Sequence, residues 1–163
     1  MLSLRFAILI IPSLLILSML CVAQGVPETI RPPGTSPQGC IDSYPETIGF
    51  KAADSPLAVS VVETHCIQPG SLRMSLQNGV LVDHHGRIGS IVANRQFQFD
   101  GPPAQAGAIY TGGWSICPDN SIALGPQKQF YACASGNFEN IYDMMIAKYC
   151  QPIFINIVHL VEC

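Results

Sequence analysis
Residues 94 to 100 read Asn-Arg-Gln-Phe-Gln-Phe-Asp, a run in which amide and carboxylate side chains alternate with apolar ones. Laid out as a strand, the run puts Arg95, Phe97 and Phe99 on one face. Ser90, Asn94, Gln96, Gln98 and Asp100 fall on the other. Planar amides and carboxylates suit sugar hydroxyls, because each hydroxyl both donates and accepts a hydrogen bond. The simpler reading is the solvated face of an antiparallel sheet, since no aromatic platform obviously accompanies the amides.

Other chemistry is thinner. Asp83-His84-His85 is the one cluster of charge and histidine, but neighbouring residues of a turn point apart and a metal would need ligands from elsewhere. A polar hairpin tip accounts for it, and no metal or cofactor is expected. His65 beside Cys66 resembles a thiol–imidazole pair only while the cysteine is free. Asp83, Asp100, Asp119, Glu139 and Asp143 are available for glycoside hydrolysis, which needs two carboxyl groups across a sugar-sized gap. The sequence does not pair them, and it holds no GxSxG, HExxH or phosphate-cradling glycine loop.

Positioning elements follow from the rest of the chain. Arg5 precedes an apolar run from Phe6 to Leu20, and Cys21-Val22-Ala23 fits a small-residue cleavage site. That is the layout of a secretory signal peptide over residues 1–23. Without it, seven basic residues face eleven acidic ones, a net charge of −4, which excludes the basic surplus of a nucleic-acid binder. No second long apolar run follows, so no membrane anchor is expected beyond the signal. Six cysteines remain: Cys40, Cys66, Cys117, Cys133, Cys150 and Cys163. Lacking close CxxC or CxxH pairs, they argue for disulfides in an oxidising space rather than zinc, and the residues alone leave 15 pairings open.

Residues 24–39, QGVPETIRPPGTSPQG, should form an extended, flexible arm. Thr29, Thr35 and Ser36 among its prolines suit O-linked sugar, whereas no Asn-x-Ser/Thr sequon occurs in the chain. Residues 40–56 read as an irregular lead-in. Strands are predicted at 57–63 and 71–76, then a hairpin over 80–92 turning through Asp83-His84-His85-Gly86, and further short strands around Trp114, Ile122 and Phe130-Tyr131. Asp100-Gly101-Pro102-Pro103 marks a turn, and Gly107, Gly112 and Gly113 should permit positive φ or close packing against Trp114. Ile141, Met144, Met145 and Lys148 fall at helical spacing, which predicts one short helix over 140–149, and Ile153–Val161 reads as a buried strand. The whole is an all-β sandwich or barrel with one short helix near its C-terminal end.

From Ser71 to Cys163 the chain closely resembles the C-terminal domain of the fungal PIR-type cell wall mannoproteins. The strings that carry the likeness are NGVLVDHHGRIGSIVANRQFQFDGPPAQAGAIYTGGWSI and FYACASGNFENIYD. The cysteine pattern from Cys66, with 66, 16 and 12 residues between successive cysteines, agrees as well. The resemblance implies a PIR-type β domain over 40–163, a secreted, non-enzymatic constituent of the cell wall, and β-glucan and other wall proteins as partners. Asn94, Gln96, Gln98 and Asp100 become candidate glucan contacts. Repeat-bearing members attach to β-1,3-glucan through a glutamine of a repeat near Q-[IV]-x-D-G-Q-[IVP]-Q. This sequence has neither that repeat nor the dibasic processing site, so that linkage is not carried over. Cys40 and Cys117 are additions to the four-cysteine pattern, which implies that they pair with each other. For the others the expected bonds are Cys66–Cys133 and Cys150–Cys163. The alternatives are a secreted carbohydrate-binding or host-interacting protein that escapes the wall, and a small wall-modifying hydrolase.

Overall fold
The computed structural model describes residues 24–27, 29–55 and 61–163. The signal-peptide reading lies outside these residues, as does most of the strand expected at 57–63. The described residues form eleven strands: β1 Tyr44–Ala53, β2 Thr64–Cys66, β3 Met74–Gln77, β4 Val80–Asp83, β5 Ile88–Ile91, β6 Phe97–Asp100, β7 Trp114–Ile116, β8 Ile122–Leu124, β9 Gln129–Ser135, β10 Phe138–Tyr142 and β11 Gln151–Val161. One sheet runs in the order β10-β9-β11-β1-β3-β4-β5-β6 through antiparallel pairs, with β2 added parallel to β11. Its two ends then meet. Gln96, just before β6, bridges to Tyr142 at the end of β10, and the Asp143 N–H donates to the Arg95 carbonyl at 3.1 Å. The sheet is therefore a nearly closed barrel, an arrangement that hides strand edges otherwise open to stray pairing.

The inner face is set by alternation. Met74 and Leu76, Ile153, Ile155 and Ile157, and Phe130 and Ala132 point into one core with Ile48, Leu81 and Ile91. The separate hairpin β7–β8 supplies Trp114, Ile116, Ile122 and Leu124 to that core. Trp114 is 1% exposed, donates from Nε1 to the Gly89 carbonyl at 2.9 Å, and lies 4.8 Å and 6.0 Å from the rings of Phe97 and Phe130. Burying an aromatic side chain of this kind contributes about 2–3 kcal/mol, and the bond to Gly89 removes the cost of an orphaned indole N–H.

Strand β11 organises the barrel. One edge pairs with β1 from Phe154 to His159. The other edge is shared in series by β9, by the Asn120 carbonyl and by β2. This placement corrects the disulfide expectation, because the bonds are Cys66–Cys163 and Cys133–Cys150, with Cys40–Cys117 as the third. Cys150 and Cys163 flank an eleven-residue strand, which holds them roughly 40 Å apart. Ala132 pairs with Gln151, so Cys133 faces Cys150, while Val161 pairs with Cys66 and brings Cys163 to it.

Three further expectations change. Residues 44–53 are not an irregular lead-in but the strand β1, held between β11 and β3. No helix occurs among the described residues; Ile141 belongs to β10, and 143–150 is a run of bends and a turn. The periodic Met144 and Met145 are exposed rather than packed, so the helical stripe had no partner to bury it. The arm at 24–39 is extended but not free. Val26 donates to the Ala104 carbonyl at 2.7 Å, Ile30 to Thr111 Oγ1 at 2.8 Å, and Arg31 to the Asn78 carbonyl at 2.6 Å. Gly113, at φ +92°, faces Pro32 so closely that a Cβ would sit 2.7 Å from its Cδ. The glycine there serves the arm rather than the indole.

Candidate functional site at the barrel seam
The run from Asn94 to Gln96 closes the barrel. The hairpin between β5 and β6 turns at 93–95, where Arg95 takes the left-handed φ of +74°. Such a conformation in a non-glycine residue is held by its surroundings, here by an ion pair. Arg95 donates from Nε and Nη2 to the two oxygens of Asp143 at 2.9 and 2.5 Å, and its guanidinium lies 5.9 Å from the centre of the Tyr110 ring. The Asp143 side chain is 3% exposed and that of Arg95 31%. Burial holds Asp143 above its ordinary carboxyl value, although Arg95 acts the other way. Gln127 adds a brace, donating from Nε2 to the carbonyls of Asp143 at 2.5 Å and Gln129 at 2.6 Å.

Beside the ion pair lies a group of amides. Asn94 Oδ1 accepts from the Gln96 N–H at 3.1 Å, and Gln96 Nε2 donates to Asn140 Oδ1 of β10 at 3.0 Å. Asn94 is exposed and Gln96 and Asn140 are half-buried. Together they form a small neutral patch of hydrogen-bonding groups across the seam. Gln98 and Asp100 do not join it. Gln98 pairs with Ser90, which is fully buried, so this face of β6 is only half open. Asp100 Oδ1 accepts from the Gln105 N–H at 2.8 Å and anchors the loop after β6. Along the strand, Asp100 is about 13 Å from Gln96. Asn140 carried no signal of its own, because the segment around it read as helix.

The remaining candidates are accounted for locally. Asp83 Oδ1 accepts the N–H groups of His85 and Arg87, and Oδ2 binds the Arg87 side chain. Burial alone would raise it, but these bonds hold it below the ordinary value. It shares a cleft of about 340 Å³ with Glu162, yet its oxygens are committed to the turn. Asp119 is paired with Lys128 and Ser121, and Glu139 stands exposed on β10. The His84 and His85 rings lie 3.8 Å apart; slight desolvation, then His85 and Arg73, lower His84. Among the described residues no three His, Cys, Asp or Glu side chains converge on a common point. His65 contacts Glu63 at 3.0 Å, and Cys66 is oxidised. A phenol–imidazole–carboxylate chain does occur, with Tyr44 Oη 2.6 Å from His159 Nε2 and His159 Nδ1 3.0 Å from Glu46. Burial and then Glu46 push the Tyr44 phenol up, the wrong direction for a nucleophile at neutral pH.

Residues 79–153 match the family described as "Cell wall mannoprotein PIR1-like, C-terminal domain". The cell wall mannoprotein CIS3 of Saccharomyces cerevisiae (strain ATCC 204508 / S288c) is 56% identical over 104 residues, 64% of this chain and 46% of that protein. The cell wall protein PIR5 of S. cerevisiae (strain RM11-1a) is 57% identical over 98 residues, 60% of this chain and 34% of that one. The chain thus spans less than half the length of these curated relatives. No solved structure matches it.

Proposed function
This chain belongs, through its C-terminal domain, to the PIR-type cell wall mannoproteins, and on that premise we propose that it is a secreted, non-enzymatic constituent of a fungal-type cell wall. One observation supports the non-enzymatic part most directly. Asp83, Asp119 and Asp143, three of the acidic side chains available for hydrolysis, are each committed to a basic partner inside the fold. General acid–base work needs a group free to exchange its proton with a substrate. The barrel, its three disulfides and its packed arm make a durable module suited to a structural role.

The finer part of the proposal concerns contact with β-glucan. Asn94 and Gln96, with Asn140 across the seam, offer neutral donors and acceptors to sugar hydroxyls, whereas Gln98 lies apart from them beside buried Ser90 and Asp100 anchors the loop after β6. Fractionation of the tagged protein from its own cells tests the location, comparing medium, hot detergent, reductant and mild alkali in turn. Recovery from the wall fractions is expected. Recovery almost wholly in the medium would overturn the reading in favour of a free secreted binder. For the contact itself, the triple variant Asn94→Ala, Gln96→Ala, Asn140→Ala is expected to weaken glucan pull-down while the domain stays folded; undiminished pull-down refutes it.

A further inference from the structure
Four exposed apolar side chains, Met144, Met145, Ile146 and Tyr149, crowd the loop between β10 and β11. Sheet edges and loop tips ordinarily show isolated apolar groups, and a cluster of this kind marks a contact surface. The loop is also fixed in place. The Cys133–Cys150 bond, with both cysteines buried, ties its far end to β9, and Gln127 and Arg95 grip Asp143 at its near end. At its foot lies a cleft of about 310 Å³ lined by Gln127, Gln129, Tyr131, Asp143, Met144 and Met145.

The chemistry of the lining selects the occupant. Gln129 and Tyr131 lie two residues apart on the outward face of β9, about 7 Å along the strand. The Gln129 side chain is exposed, and no hydrogen bond to its amide occurs among those described. Asp143, the acidic group in the cleft, has its charge answered by Arg95, so the site is electrically neutral. A neutral cleft with an amide, a phenol and flat or soft apolar walls offers hydroxyls their hydrogen bonds and ring C–H faces their packing. Charged ligands find no countercharge there, and a purely apolar one would strand the amide.

We propose that this cleft is a glycan subsite, separate from the amide patch of the seam, that takes one or two residues of a neutral polysaccharide chain. The inference rests on the wall reading above for the setting in which such a chain is met. Asp143, held in place by Arg95, and Gln127 form its floor, Gln129 and Tyr131 are its contacts, and Met144 and Met145 its rim. Ordering long before ligand arrival is the advantage of the disulfide, because little loop freedom is left to lose on binding.

The test is an NMR titration of the oxidised domain with hexasaccharides of β-1,3-glucose and of β-1,4-N-acetylglucosamine. Shifts are expected at Gln129, Tyr131, Met144 and Met145 with one of the sugars. Gln129→Ala and Tyr131→Ala should each weaken that binding about five- to tenfold, and Met145→Ala, an exposed position, provides a readout if Tyr131→Ala fails to fold. Shifts confined to Asn94, Gln96 and Asn140 would overturn the cleft while sustaining the glucan contact of the seam. Shifts that depend on protein concentration without sugar would overturn it in favour of a second copy on the loop. Binding of neither sugar would also overturn it, and wall fractionation would decide the broader reading on its own.

Discussion

The seam stands or falls on an asymmetric ion pair, and the asymmetry is measurable. Asp143 is sealed from water, whereas about a third of the Arg95 side chain reaches it. Arg95→Gln keeps a Cβ at the same left-handed position, so the backbone cost is unchanged and the charge alone is removed. It strands a buried carboxylate, a class of change costing about 3–5 kcal/mol. Because the departing guanidinium leaves a partly open side, the lower end, about 3 kcal/mol, is expected. Asp143→Asn leaves a guanidinium that can turn to solvent and should cost about 1 kcal/mol. In melting temperature these become losses of about 10 °C and about 3 °C. The assay is thermal and urea unfolding with disulfides intact, followed by the emission of Trp114, the only tryptophan. The pH dependence follows from the sign of the titration. Burial already raises Asp143, and loss of Arg95 raises it further, so the folded variant binds a proton more tightly than the unfolded chain. That contribution is present below the unfolded value near 3.8 and is lost as pH rises through the folded one. The Arg95→Gln deficit should therefore shrink between pH 7 and pH 4. Equal costs for the two single variants, with a deficit that is flat in pH, would refute the reasoning.

Three other outcomes are expected. Replacing Cys133 and Cys150 by serine opens a loop of sequence separation 17 and should cost about 3 kcal/mol, with new protease cuts in 143–150 as the local sign. Under limiting reductant, Cys66–Cys163 should open before the other bonds, because both of its cysteines are exposed while Cys117, Cys133 and Cys150 are buried; alkylation mapping that finds another pair first would contradict this. Asp83 and Asp119 are both held low in the folded chain, so their stabilisation is present above the unfolded value and is lost as pH falls through the folded ones. Asp83→Asn should flatten the acid limb of a pH–stability curve measured below about pH 4.

Much of this fold was legible in the sequence, and the failures have physical causes. Hairpins with strong turn residues read correctly, as at 80–91, where Asp83 folds its own turn. Strand β1 did not, because Pro45, Gly49 and Lys51 blur its alternation; it is a strand since β11 and β3 flank it, not by propensity. The helix at 140–149 was a periodicity without a surface to bury. At the site, the amide run drew notice, but its partner Asn140 lies across a closure between chain-distant edges, and no local pattern announces which edges will meet. Gln129 and Tyr131 were likewise invisible as a pair until the alternation of β9 and the disulfide loop set them in one cleft.

The central place of β11 has a consequence for how the molecule is made. It is synthesised after every strand it touches, and its contact between Tyr44 and His159 spans 115 residues. While the chain emerges, β1 and β9 have no common neighbour, so the barrel cannot assemble stepwise from its first residues. Short-range closure comes first on entropic grounds, and Cys133 can meet Cys150 before Cys66 can meet Cys163. The Cys66–Cys163 bond therefore forms only after β11 has been made. A chain interrupted within β11 would display open strand edges and an unpaired Cys66 thiol together, two marks of a barrel whose organising strand has not docked.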